Sequence, residues 1–131
     1  AHLTHDVGKT ALAWRDVYLR KIYGKPTVAP TVASPSSGVS TGAVSGSSTN
    51  GTLSFSVNGA FPVTGGSVAT ISFGDSFSAN PAVVVTLECP SASHFGETCG
   101  TQSVSGSSFR FWAKGLDASQ TYKLHWVAVG I

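Results

Sequence analysis

Apolar and polar residues alternate through most of the chain beyond residue 50. Leu53, Phe55 and Val57 alternate with Thr52, Ser54 and Ser56. Ala69, Ile71 and Phe73 fall on one face of the next run, with Thr70 and Ser72 on the other. In the run after it Val83, Val85 and Leu87 alternate with Val84, Thr86 and Glu88. Phe109 and Phe111 then oppose Arg110 and Trp112, and Tyr122, Leu124 and Trp126 oppose Lys123, His125 and Val127. Period-two alternation with β-branched and aromatic enrichment predicts half-buried strands. Turn signals separate them at Asn58-Gly59, Gly65-Gly66, Asn80-Pro81, Ser105 to Ser108 and Asp117-Ala118-Ser119. Strands at intervals of about ten residues between Gly/Ser turns predict a small antiparallel β-sandwich, jelly-roll-like, over 51–131. The pair within Val68 to Leu87 is expected at its centre.

The pattern changes before residue 51. Residues 25–50, KPTVAPTVASPSSGVSTGAVSGSSTN, combine early prolines with a Ser/Gly/Thr-rich run and read as a linker, extended and then flexible. Val28, Val32, Val39 and Val44 leave room for strand-like packing along a neighbour. Residues 1–24 read as a stem, a short turn followed by a strand, with a helix from Thr10 to Ile22 as the competing reading. Trp14, Val17, Tyr18, Leu19 and Ile22 cannot be buried by so short a segment alone. They are expected to pack on the head or on other copies of the chain.

Composition sharpens this outline. Only 11% of the 131 residues are charged, against about 25% in ordinary globular proteins. No charged side chain occurs between Lys25 and Asp75. Because a soluble monomer scatters charge over its surface, such a span suggests burial between copies. The net charge of +2 is uneven: Lys9, Arg15, Arg20, Lys21 and Lys25 oppose Asp6 and Asp16 at the start, and the remainder is slightly acidic. That basic segment is too short and too mixed in sign to argue for nucleic acid. No apolar run approaches a membrane span. The absence of methionine suggests a fragment or processed chain with further domains before Ala1.

Candidate chemistry is sparse. Asp75, Glu88, Glu97 and Asp117 are the only carboxylates after residue 50. A glycosidase needs two flanking one bond, and only Glu88 and Glu97 are placed to meet across a hairpin. No G-x-S-x-G, H-E-x-x-H or P-loop occurs, so the reading is a binding protein, not an enzyme. Cys89 and Cys99 flank the loop PSASHFGET and are either a disulfide, which would stabilise by about 2–3 kcal/mol, or free thiols. With His94 they match no zinc spacing and lack a fourth ligand. His2 and His5 are favoured as a solvated N-terminal segment over a metal site on a symmetry axis. No cofactor and no metal are expected.

Glycan sites pair an aromatic face with a few fixed hydrogen-bonding groups. His94, Phe95 and Glu97 occupy the longest polar loop, and strand parity sends Arg110, Trp112 and His125 away from the core. These six are the candidate ligand-binding residues. Packing of Arg110 and Trp112 between subunits is the competing reading.

The start of the chain and its head resemble a known family. Thr10-Ala11-Leu12-Ala13-Trp14-Arg15-Asp16-Val17-Tyr18-Leu19 resembles a segment that recurs just before the receptor-binding ends of bacteriophage tail fibres. Phe77 to Val83 (FSANPAV) and Tyr122 to Gly130 (YKLHWVAVG) resemble the compact C-terminal domain that closes many such fibres. The resemblance implies a homotrimer in the virion, attached to the rest of the phage tail, whose tip binds a host cell-surface glycan or protein during adsorption. A purely structural trimerisation or capping domain is the alternative it leaves open.

Overall fold

The computed structural model describes residues 28–33, 35–90 and 97–130. The stem residues Trp14, Val17, Tyr18, Leu19 and Ile22, and the loop residues His94 and Phe95, lie outside the described residues.

Eight strands and no helix are present among the described residues: β1 (Thr31–Ala33), β2 (Val39–Gly46), β3 (Asn50–Val57), β4 (Gly66–Ser72), β5 (Ala82–Glu88), β6 (Thr98–Gln102), β7 (Ser108–Lys114) and β8 (Thr121–Val129). They form two four-stranded antiparallel sheets. The first has the order β1-β4-β7-β6 and the second β2-β3-β8-β5. The expected β-sandwich is therefore present, but its strand order is not that of a jelly roll. A rolled-up hairpin would seat the first strand beside the last, whereas β1 lies beside β4 and β8 lies between β3 and β5.

The core forms where the alternating faces of the two sheets meet. Leu53, Phe55, Val57, Tyr122, Leu124 and Trp126 project from the second sheet, and Ala69, Ile71, Phe109, Phe111 and Ala113 from the first; all are buried. Aromatic rings cross the interface: Phe55 meets Phe111 edge-on at 5.8 Å, and Phe109 meets Trp126 at 5.9 Å. Burying each such ring contributes on the order of 2–3 kcal/mol, and edge contacts add to that. A register shift between Ser67 and Ala69 lets both Val68 and Ala69 face inward, as a bulge permits.

Two expectations about organisation need correction. The segment read as a linker, 25–50, supplies β1 and β2. Val32, Val39 and Val44 pack against the core, and β2 pairs with β3 along most of its length. Of the pair within Val68 to Leu87 expected at the centre of the sandwich, β4 is interior to the first sheet, but β5 is an edge of the second. The connector 73–81 carries the chain from one to the other. It is anchored by Phe77, whose N–H donates to Gly106 O at 2.8 Å, and by buried Phe73, which packs edge-on against Phe77 at 5.0 Å.

Candidate functional site

The outer face of the first sheet gathers the chemistry-bearing side chains. Phe109, Phe111 and Ala113 of β7 point into the core, so Arg110, Trp112 and Lys114 stand on the outside in one row. Arg110 is paired across the sheet with Thr70 and Gln102, Trp112 with Ser67 and Gly100, and Lys114 with Thr98. The tryptophan thus has small residues on both flanks. A side chain at Gly100 would meet nothing within 4 Å, whereas one at Gly65 would come within 2.7 Å of Trp112 Cζ2. Gly65 closes a turn, its N–H donating to Pro62 O at 3.0 Å, and has φ +94°. The indole therefore lies over the turn with one edge, while space opens beside it toward β6. Flanked by cations and hydroxyl or amide side chains, a half-exposed indole of this kind can stack on the C–H face of a sugar ring.

His125 is on the other side of the molecule. It lies on the outer face of the second sheet, its Nε2 2.8 Å from Glu88 Oε2, and Lys123 Nζ is 3.5 Å from Glu88 Oε1. The cross-strand register of β5 and β8 puts Thr86 opposite His125 and Glu88 opposite Lys123. The hydrogen bond to His125, followed by the charge of Lys123, holds the Glu88 carboxyl below its ordinary value of 4.5. Glu88 is thereby committed to His125 and Lys123 of β8.

Glu97 precedes β6 and engages the Cys89 thiol. Both cysteines are free thiols in this structure. Cys89 follows the edge strand of one sheet and Cys99 lies in the edge strand of the other. Burial raises both thiols above their ordinary value, and the Glu97 charge raises Cys89 further, so the thiolate that oxidation requires is scarce. Among the described residues no three His, Cys, Asp or Glu side chains are grouped to hold a metal.

Of the six candidate residues, Arg110 and Trp112 are brought together, His125 faces away from them, and Glu97 sits at the sheet edge. Lys114, Ser67, Gln102 and the two glycines complete the Trp112 face. Lys114 follows from the parity of β7 alone; the glycines depend on which strands pair, which no local pattern carries.

A second surface is apolar. Val84 of β5 is opposite Val127 of β8, and Ala82 opposite Val129; the three valines are exposed by 67%, 52% and 68% respectively. They lie on the edge strand β5 and on its neighbour β8.

Comparison with known proteins returned no matching family model, no matching curated protein and no matching solved structure.

Proposed function

We propose that this chain is the receptor-binding tip of a bacteriophage tail fibre, binding a host cell-surface glycan through the outer face that carries Trp112. The observation that carries the reading is the half-exposed indole between Ser67 and Gly100, over the Gly65 turn, with Arg110 and Lys114 on either side. The tail-fibre assignment itself rests on the sequence resemblance at Thr10 to Leu19, Phe77 to Val83 and Tyr122 to Gly130. In this reading the chain acts as a homotrimer in the virion, and three weak sites on one tip multiply their effect. Binding, without bond-breaking, is its role. Glycan-array binding by the chain, compared with Trp112→Ala, tests it. The expected result is binding reduced more than tenfold in the variant, about 1.4 kcal/mol or more, with an unchanged melting temperature. Equal binding by both proteins would remove Trp112 from the site.

The exposed valines favour a second reading, a structural trimerisation or capping domain without a ligand. Val84, Val127 and Val129 form an apolar patch next to an edge strand, a surface that self-association would cover. Light scattering of wild type and Val84→Lys separates the readings. A trimer that dissociates on this change, combined with no binding to host cells, favours the cap.

A further inference from the structure

Resting on the glycan-binding reading, we infer that the saccharide recognised at the Trp112 face is anionic, carrying carboxylate or phosphate groups. The argument is one of charge placement. The described residues include three Lys or Arg side chains, Arg110, Lys114 and Lys123. Lys123 is on the second sheet and pairs with Glu88 at 3.5 Å. Arg110 and Lys114 make no ion pair with any described residue, and both stand in the row that contains Trp112.

None of the carboxylates of the described residues is a cross-strand partner of Arg110, Trp112 or Lys114. Glu88 is on the opposite sheet, Asp75 in the connector 73–81, and Asp117 in the turn between β7 and β8. Glu97 is engaged with Cys89. The cross-strand neighbours of Arg110, Trp112 and Lys114 are Thr, Ser, Gly and Gln, which hydrogen-bond without neutralising a cation. Among the described residues, two positive charges around one stacking surface thus have no ion-pair partner.

The spacing suits a saccharide. Arg110 and Lys114 are each two residues from Trp112 along the strand, about 7 Å on either side. A pyranose stacked on the indole leaves acidic groups on its flanking units within reach of the two cations. Gln102 and Thr98, opposite those cations, remain free to meet hydroxyls. A neutral glycan would satisfy the indole and leave both cations without partners.

The test uses a glycan array bearing uronate, sialate and phosphate oligosaccharides beside their neutral counterparts. Titration then follows with wild type, Trp112→Ala, Lys123→Gln and the double variant Arg110→Gln/Lys114→Gln. The expected result is binding to anionic members that the double variant weakens roughly tenfold or more, as charge-assisted hydrogen bonds imply. Lys123→Gln should leave it unchanged, and a rise in salt should weaken it. Equal binding to neutral counterparts, lost in Trp112→Ala but not in the double variant, overturns the anionic inference and leaves the glycan reading standing. Salt-sensitive binding indifferent to both Trp112→Ala and the double variant overturns it too, assigning the effect to the basic N-terminal residues. Absence of binding to every glycan overturns both.

Discussion

Gly51 and Trp126 are direct partners across β3 and β8, and the indole of Trp126 fills the space that a side chain at 51 would take. A Cβ at Gly51 would lie 2.2 Å from Trp126 Cζ2, 2.4 Å from Cη2 and 2.5 Å from Ser45 O. The ring must retreat by more than an ångström to reach ordinary carbon contact. It has nowhere to go, being 2% exposed and packed on Phe109, and Ser45 O belongs to the paired backbone of β2. Replacing a strand glycine by alanine in open space gains about 0.5–1 kcal/mol, whereas overpacking costs about 1–3 kcal/mol or more. Gly51→Ala is therefore expected to lose about 2 kcal/mol, lowering the melting temperature by about 10–15 °C at 4–8 °C per kcal/mol. Gly59→Ala, where a Cβ meets nothing within 4 Å, serves as the control and should be neutral or slightly stabilising. Trp126→Phe removes the two ring carbons at fault, so the double variant should be more stable than the sum of the single losses by about 1 kcal/mol. Calorimetry or urea melts of the four proteins measure this. A Gly51→Ala protein as stable as wild type would refute the reasoning.

Three further outcomes are expected. Ser48 Oγ accepts the Asp75 N–H at 2.6 Å and ties the β2–β3 loop to the connector 73–81; Ser48→Ala should cost about 1 kcal/mol in urea melts. The lowered Glu88 carboxyl contributes stability that is present above its ordinary value of 4.5 and is lost as pH falls through the lower folded value. Urea midpoints should therefore drop less steeply below pH 4.5 in Glu88→Gln than in wild type, the difference shrinking in high salt. With both thiols raised by burial, alkylation at pH 7 followed by mass spectrometry should be slower in the folded chain than in urea; equal rates would contradict the placement of the thiols.

The strands with dense apolar alternation were legible in the sequence. Leu53, Phe55 and Val57 face the core, as do Phe109 and Phe111, and Arg110 and Trp112 consequently face out. β1 and β2 were not, for a physical reason. Their inward residues Val32, Val39 and Val44 are separated by small polar residues and proline, and the register shift between Thr41 and Val44 breaks the period of two. Period also says nothing about partners. Val68 to Leu87 looked like a unit because its strands are adjacent in sequence, yet β4 pairs with β1 and β7 while β5 pairs with β8. For the same reason parity located Arg110 and Trp112 but could not show that His125 lies on the opposite sheet, or that Gly65 and Gly100 clear the ground around the indole.

The interior position of β8 bears on when this molecule can acquire its shape. Asn50 in β3 pairs with Val127, and β5 has no neighbour within its sheet except β8. During synthesis, the first sheet, β1-β4-β7-β6, and the hairpin β2–β3 can pair before residues 121–129 leave the ribosome. The second sheet completes after translation has passed its last strand, through pairings of high sequence separation that close slowly, on a scale of milliseconds to seconds. Until then the valines of β5 stand without a partner strand, and a nascent polypeptide crowded among its siblings is most open to mispairing at that strand.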